Sequence, residues 1–132
     1  MSTFKTNFQI FIFQVFVVFM RIIVVYQPHQ NIRQHEKLIQ NGYQSCFAKA
    51  DLVYWLPTYL SRENDLPILS PQEILDVSKI ETKNQNGQNK FVVADYQSLA
   101  QNLIKHRQGG DLIIFMGAGN IDNWARANLD KF

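Results

Sequence analysis

A chain of 132 residues is long enough for one domain with a hydrophobic core and too short for several domains. With 46% hydrophobic and 18% charged residues, its composition is that of a globular protein. Thirteen basic and eleven acidic side chains leave a weak positive charge, and because the basic residues are scattered, nucleic acid is not an expected partner. The single Cys46 cannot form an intramolecular disulfide, which favours a reducing compartment such as the cytoplasm, and we interpret it as a small buried thiol.

The first twenty residues are an atypical hydrophobic segment. Between Phe8 and Tyr26, two glutamines and Arg21 interrupt an apolar run that is about long enough to span a bilayer. A membrane span is not favoured, because it would bury Arg21 and both glutamines at a considerable cost in free energy. If Arg21 is a boundary, the run from Phe8 to Met20 is too short to span a membrane. We therefore expect no membrane insertion and place the folded domain at residues 21–132.

The domain is predicted to begin with a strand and a helix. Ile22 to Tyr26 is a β-branched run that ends at Gln27-Pro28, which predicts a strand buried on both faces. A helix over about residues 34–48 is predicted next, because apolar residues recur there at helical spacing. The residues expected on its buried face are Leu38, Ile39, Tyr43, Cys46 and Phe47.

A second strand and a capped helix follow. Leu52 to Leu56 is an apolar run that ends at Pro57, and residues 58–69 are typical of a surface loop. Ser70-Pro71-Gln72-Glu73 combines a capping box with a proline at the first helical position. The pattern therefore predicts a helix that starts at Pro71 and ends near Lys79.

The last third of the chain repeats the alternation of strand and helix. Phe91 to Val93 is the third predicted strand, and Asp95 can cap the helix that follows it. Leu112 to Met116 is the fourth predicted strand. The turn Gly117-Ala118-Gly119-Asn120 then leads into a final helix that contains Trp124.

Strands that alternate with helices predict an α/β fold, a Rossmann-like three-layer domain with a mainly parallel sheet covered on both faces. Ligands of such domains bind at the carboxyl ends of the strands. This rule selects the loop after Tyr26 and the loop after Met116 as the ligand side.

The loop after Tyr26 carries cationic side chains at the point where a strand is followed by a helix. His29 and Arg33 could converge with helix amide groups on an anion. Alternatively, the loop is simply polar and Arg33 is solvated. A metal site at His29 and His35 is not predicted, since neither a carboxylate nor a cysteine partner occurs at a recognised spacing.

The glycines after Met116 stand where a phosphate loop would stand, but the third glycine of such a loop is missing. We favour a tight turn in which glycine allows a positive φ or close packing, and keep Gly117, Gly119 and Asn120 as a possible ligand-side loop. The sequence contains no Gly-x-x-x-x-Gly-Lys-Ser/Thr motif, which excludes a P-loop at the level of motifs. Glu63 and Asp65 are interpreted as solvated charges, and no catalytic residue is predicted.

Several segments of the chain resemble the carboxyl-terminal domain of the Mur ligases. These segments are Arg21 to His29, Ala48 to Val53, Tyr59 with Arg62-Glu63, and Gly110 to Ile121. The Gln-Pro-His loop and the Gly-Ala-Gly turn together are most similar to the branch that joins L-alanine to UDP-N-acetylmuramate. The resemblance covers residues 21 to about 130.

The resemblance implies the amino-acid-binding domain of an ATP- and magnesium-dependent ligase of peptidoglycan precursor synthesis. The family's loop usually reads Gln-Pro-His-Arg-x-x-Arg and helps to hold L-alanine, which implies amino-acid-binding roles for His29, Gln30 and Arg33. Gln30 replaces the family's first arginine, so this chain has one cation where relatives often have two. The family's Asp-Tyr-x-His-His-Pro segment has no counterpart in residues 1–20.

The central ATP-binding domain and the amino-terminal UDP-sugar domain of the family have no counterpart in these 132 residues. The resemblance is therefore compatible with a gene fragment and with a split ligase that needs a partner chain, and the sequence does not separate the two. We expect the chain alone to need no cofactor and to be inactive. The alternative hypothesis is a non-enzymatic Rossmann-like binding module, held to a membrane or to a partner by the apolar segment before Arg21.

Overall fold

The computed structural model describes residues 21–60 and 65–132. The strands are β1 (Ile22–Gln27), β2 (Leu52–Trp55), β3 (Phe91–Val93) and β4 (Leu112–Gly117). Every neighbouring pair is parallel, and the strand order is β3-β2-β1-β4. The predicted α/β, Rossmann-like fold with a parallel sheet is confirmed, and each strand lies within one residue of its predicted bounds.

Helices connect these strands and follow the last one. They are α1 (Asn31–Ile39), α2 (Pro71–Val77), α3 (Tyr96–His106) and α4 (Ile121–Asn128), and a 3-10 turn follows at Leu129–Lys131. Both predicted caps are present: Ser70 Oγ accepts a hydrogen bond from the Glu73 amide (3.2 Å), and Asp95 Oδ1 accepts one from the Ser98 amide (2.8 Å). The capping box therefore sets the start of α2, which ends at Val77, slightly before the predicted end.

The predicted helix over residues 34–48 is wrong in its extent. α1 begins at Asn31 and ends at Ile39, and residues 40–49 form turns. Asn41 has a φ of 52°, a left-handed conformation that a continuing helix cannot contain, and the Gly42 amide donates to the Lys37 carbonyl (2.7 Å). The Asn-Gly pair therefore ends the helix, and Ile39, predicted to be buried, is 83% exposed.

The prediction that Cys46 is a buried thiol is also wrong. Cys46 is exposed, and its Sγ donates to the carbonyl oxygen of Gly42 (2.9 Å). Tyr43 and Phe47, from the same predicted face, do reach the core. Because the helix has already ended, the turns after it direct the two aromatic rings inward and the thiol outward.

The membrane hypothesis concerned the apolar run that ends at Tyr26. Its part from Phe8 to Met20 lies outside the described residues, whereas Ile22–Gln27 is a strand of the sheet. A helix continuous from Phe8 to Tyr26 is thereby contradicted. Within residues 21–60 and 65–132, every helix is too short or too polar to cross a bilayer.

The core consists of two apolar clusters, one on each face of the sheet. On the α1 face, Val24, Val53 and Trp55 pack against residues of the first two connections, which are Tyr43, Phe47, Ile74 and Ile80. On the α3 face, Ile23, Val25 and Tyr54 pack against residues of the later helices, which are Leu99, Leu103 and Ile121. The sheet is therefore covered on both faces, as predicted. The exception is the part of the α1 face that is formed by β4.

The direction in which strands are added to the sheet reverses at β1. β2 and β3 lie on one side of β1, and β4 lies on its other side. Open α/β sheets bind ligands at such a switch point, beside the carboxyl ends of the two diverging strands. Here these are the ends of β1 and β4, at Gln27 and Gly117, which are paired in the sheet.

An ion pair at the amino edge of the sheet joins the same two strands. Arg21 Nε and Nη2 donate to Asp111 Oδ1 (2.9 Å) and Oδ2 (2.6 Å), and Nη2 also donates to the His106 carbonyl (2.9 Å). The Asp111 side chain is 4% exposed. Burial alone would raise the pKa of Asp111, but hydrogen bonds from Arg21 and the Gln108 amide lower it below its usual value.

Replacing Arg21 by alanine should lower the free energy of unfolding by roughly 1.5 kcal/mol at neutral pH, because buried Asp111 would lose a bidentate, charged donor that is itself one-third exposed. Urea denaturation measures this change.

The folded pKa of Asp111 is lowered, so its contribution to stability is present above the unfolded pKa of about 3.9 and is lost as the pH falls through the folded pKa. The difference in the free energy of unfolding between the parent chain and Arg21→Ala should therefore become smaller in acid.

Arg126→Ala is the matched control. Arg126 pairs with Asp122 on α4, but the two side chains are 74% and 68% exposed, so the unfolding midpoint should hardly move. An equal effect of Arg21→Ala and Arg126→Ala would contradict the structural role of the Arg21–Asp111 pair.

Candidate functional site

The loop after β1 is held by the segment that follows β2. The Gln30 amide donates to the Tyr59 carbonyl (2.9 Å), and the Tyr59 amide donates to the Pro28 carbonyl (2.7 Å). The rings of His29 and Tyr59 stack, with centroids 5.7 Å apart and planes 16° from parallel. Tyr59 therefore fixes both the backbone of this loop and the orientation of the His29 imidazole.

Gln34 braces the same loop from within α1. Its side chain is buried, and Nε2 donates to the carbonyl oxygens of His29 (2.9 Å) and Gln30 (3.4 Å). Gln30 has a φ of 58°, which is uncommon for a residue with a Cβ. The hydrogen bonds from Gln34 help to hold this backbone conformation at the start of the helix.

The start of α1 is also tied to the chain that leads into α2. Buried Asn31 donates through Nδ2 to the carbonyl oxygens of Pro67 (2.8 Å) and Leu66 (3.3 Å), and its Oδ1 accepts from the Leu69 amide (3.1 Å). His35 Nε2 lies 2.9 Å from the same Pro67 carbonyl. Both side chains therefore have structural partners at the edge of the site.

The turn at the end of β4 packs so closely against the end of β1 and the segment after β2 that it requires glycine. A Cβ on Gly117 (φ 145°) would lie 2.3 Å from the Gln27 carbonyl oxygen, and one on Gly119 (φ 82°) would lie 2.4 Å from the ring of Tyr59. The interpretation of this motif as a tight turn with positive φ and close packing is confirmed. Asn120 is exposed and occupies the N-cap position of α4, where its side chain makes no capping hydrogen bond.

Buried Gln27 joins the site to the α3 face. Its Oε1 accepts a hydrogen bond from the Tyr96 hydroxyl (2.7 Å), and its Nε2 donates weakly to the Pro57 carbonyl (3.5 Å). The last residue of β1 is therefore fixed from both neighbouring connections. These two hydrogen bonds hold the end of β1, after which the loop with His29 begins.

Arg33 lies on the exposed surface of α1. Its Nη1 is 2.7 Å from Glu36 Oε2, and the two side chains are 65% and 44% exposed. His29 and Arg33 are thus held by different partners, Tyr59 and Glu36. An exposed pair of this kind contributes little free energy, so the guanidinium can exchange Glu36 for another carboxylate at low cost.

The other candidate residues lie away from this arrangement. Arg62 and Glu63 fall outside the described residues, and Asp65 is exposed, as a solvated charge would be. Within the described part of the chain, His, Cys, Asp and Glu side chains do not form any group of three that could hold a metal ion.

The central position of Tyr59 was not predicted from the sequence, in which Tyr59 contributed only to the resemblance to the Mur ligases. Tyr59 lies between the loops after β1 and β4, in contact with His29 and at the position that a Gly119 side chain would occupy. A tyrosine two residues after a strand-ending proline carries no local signal of this role. The strand order was needed to reveal it, because three separate loops meet there.

Gly119→Ala should destabilise the domain more than Gly110→Ala does. Both glycines have similar positive φ values, 82° and 88°, but a Cβ on Gly110 would meet no atom within 4 Å. Each change should cost about 1 to 2 kcal/mol for the left-handed backbone, and Gly119→Ala roughly 1 to 3 kcal/mol more for the clash with Tyr59. Urea denaturation gives both values, and equal losses would contradict the contact.

The fold defines a class of protein: a Rossmann-like α/β domain in which three loops meet at the switch point of the sheet. No protein-family model matches the chain. Curated relatives match over most of it and are named UDP-N-acetylmuramate–L-alanine ligase. Those of Rickettsia typhi and Rickettsia canadensis are 31% and 32% identical over 111 and 112 residues, 84% and 85% of this chain. That of Rickettsia prowazekii is 30% identical over 111 residues, or 84%.

These matches confirm the resemblance to the carboxyl-terminal domain of a Mur ligase, and to its L-alanine-adding branch in particular: the chain is a relative of the UDP-N-acetylmuramate–L-alanine ligases. The matched region is 21%, 22% and 21% of the three relatives. The chain thus spans about a fifth of the length of the curated relatives it matches.

Proposed function

We propose that the chain supplies the amino-acid-binding domain of an ATP-dependent UDP-N-acetylmuramate–L-alanine ligase that makes peptidoglycan precursors in the cytoplasm. The observation that carries this proposal is the junction at Tyr59, which joins the loops after β1, β2 and β4 at the switch point of the sheet. Such a point is where α/β domains hold their ligands. The name of the relatives, UDP-N-acetylmuramate–L-alanine ligase, supports L-alanine as the ligand in this proposal.

In this proposal Arg33 binds the carboxylate of the amino acid. A guanidinium offers two parallel N–H donors that match a carboxylate, and Arg33 is exposed, with only an exposed partner in Glu36. It also lies in the first turn of α1, where the helix dipole favours negative charge. Arg33 can therefore turn from Glu36 to a substrate without leaving a buried charge unpaired.

His29 and the glycine turn form the walls of the proposed pocket. The stack on Tyr59 and the bond from Gln34 to its carbonyl hold His29 in one orientation. Gln30 takes part through polar groups, without the charge that relatives place there. In this proposal the opposite wall is the glycine turn, where Gly117 packs against the Gln27 carbonyl and Gly119 against the Tyr59 ring, and Asn120 is the next residue of the chain.

ATP, magnesium and UDP-N-acetylmuramate belong to other domains in this proposal. Phosphoryl transfer needs a phosphate cradle and metal ligands. The sequence has no P-loop motif, and the described residues have no cluster of metal-binding side chains. The chain's part is then to bind and orient the amino acid whose amine attacks the activated muramoyl carboxylate.

The purified 132-residue chain should neither release phosphate from ATP nor form an amide bond when it is given L-alanine and UDP-N-acetylmuramate with magnesium. A coupled phosphate assay and mass spectrometry of the UDP-sugar measure the two reactions. Magnesium-dependent phosphate release that rises with the concentration of purified chain would contradict the proposed division between domains.

Arg33→Ala should weaken L-alanine binding in a hybrid ligase whose carboxyl-terminal domain is replaced by residues 21–132. The loss of a charge-assisted contact of about 1.5 to 3 kcal/mol corresponds to a roughly ten- to hundredfold higher KM for L-alanine if binding is near equilibrium. The KM for ATP should change little. Steady-state titration of each substrate measures both.

Arg126→Ala in the same hybrid is the control, since Arg126 is also an exposed helix arginine paired within its own helix. It should leave both Michaelis constants unchanged. An active hybrid in which Arg33→Ala behaves like Arg126→Ala would show that Arg33 is a solvated surface residue. A folded but inactive hybrid would favour the non-enzymatic binding module.

A further inference from the structure

An apolar groove runs along β4 on the α1 face of the sheet. The register of β1 and β4 places two rows of side chains on this face, Ile22, Val24 and Tyr26 from β1 and Leu112, Ile114 and Met116 from β4. Leu112 and Met116 are 43% and 44% exposed, although they belong to a strand of the central sheet. We call this surface the β4 groove.

The β4 groove extends from the amino end of β1 towards its carboxyl end. It comprises two cavities of about 220 and 210 Å³ that share Cys46, Phe47 and Met116. The first cavity reaches Ile22 near the amino edge, and the second reaches Tyr26 near the carboxyl edge. The turns over residues 43–50 form one wall, and β4 forms the opposite side.

The other face of β4 is covered. Ile113 and Phe115 pack against the cluster of the α3 face, where the ring of Phe115 lies 6.1 Å from that of Trp124 and 6.4 Å from that of Phe132. A strand with one covered and one open apolar face indicates that a further layer belongs on the open face.

We propose that the β4 groove is the docking site of the chain's own residues 8–20. Eleven of these thirteen residues are apolar and none is charged, which suits a groove whose lining is mainly aliphatic and aromatic, with Lys37, Ser45 and Lys49 beside these side chains. The lengths also agree. Thirteen residues extend about 20 Å at a helical rise, and a strand of six residues extends about 20 Å.

The position of Arg21 supports this occupant over a separate partner. Arg21 is fixed to Asp111 at the amino edge, and the next residue, Ile22, already lines the groove. Residues 8–20 are therefore tethered at one end of the surface, which gives them a high effective concentration there. A separate molecule would also lose translational freedom on binding.

The single cysteine of the chain provides a direct test, because Cys46 lines both cavities and is exposed. The full chain is labelled at Cys46 with a benzophenone maleimide and irradiated, and the captured peptides are identified by mass spectrometry. The expected product is a monomer in which the label is joined to residues 8–20.

The matched control moves the label to the opposite face. Ile104 on α3 is 47% exposed, so Ile104→Cys in a Cys46→Ser background carries the same probe away from the groove. This label should not capture residues 8–20. Equal capture from the two positions would show a tethered segment without a docking site and would overturn the proposal.

A second variant tests the contact itself. Phe13→Asp with Phe16→Asp places two charges in the segment and should reduce capture from Cys46 to the level of the Ile104→Cys control. Fluorescence of buried Trp55 verifies that the domain remains folded. Unchanged capture with the aspartates in place would contradict apolar docking.

Two further outcomes identify other occupants. Capture of residues from a second chain, in a covalent dimer, would assign the groove to a second copy. Flotation of the labelled chain with phosphatidylcholine–phosphatidylglycerol vesicles, together with loss of capture, would assign residues 8–20 to a membrane. Either result would overturn the proposal.

Discussion

The proposed ligand side of this domain depends on one interaction, the contact of Tyr59 with the loops on either side of it. Its backbone exchanges hydrogen bonds with the loop after β1, through Pro28 and Gln30, and its ring stacks on His29. The same ring fills the space left by the missing side chain of Gly119. Without this residue, the loop after β1 would lose two backbone hydrogen bonds to the segment after β2, and His29 would lose the ring that stacks on it.

The arrangement of residues at the carboxyl ends of the strands depends on contacts at their amino ends. The Arg21–Asp111 pair aligns the first residues of β1 and β4, and the Ile22 amide donates to Asp51 Oδ2 (2.8 Å) just before β2. Parallel pairing then carries this register along the strands to Gln27 and Gly117. Charged groups at one edge of the sheet therefore fix which residues meet at the other edge.

A buried polar contact supports the same arrangement from the α3 face. The Tyr54 hydroxyl lies 2.7 Å from His106 Nδ1, beside the carbonyl that binds Arg21, and it donates to the Asn102 carbonyl (3.2 Å). Burial raises the pKa of Tyr54 to about 12, so the hydroxyl remains protonated and available as a donor near neutral pH. The end of α3 is thereby joined to the centre of the sheet.

Local patterns predicted the strands and caps because their causes are local. β-branched runs favour extended backbone, and the Ser70 and Asp95 caps depend on residues three positions away. The end of α1 was missed because helical spacing continues through Asn41, while a left-handed residue there stops the helix. The error placed Cys46 in the core. Tyr59 could not be assigned its role at all, since that role exists only when the strand order brings separate loops together.

If the loops joined by Tyr59 bind an amino acid, L-alanine should change the chemical environment of their backbone. Titration of the ¹⁵N-labelled chain with L-alanine, followed by NMR, measures this change. Amide shifts should be concentrated at residues 29–34, at Tyr59 and at residues 117–121, and they should weaken in Arg33→Ala. An absence of shifts at saturating millimolar L-alanine, or shifts confined to another part of the sheet, would contradict amino-acid binding by these loops.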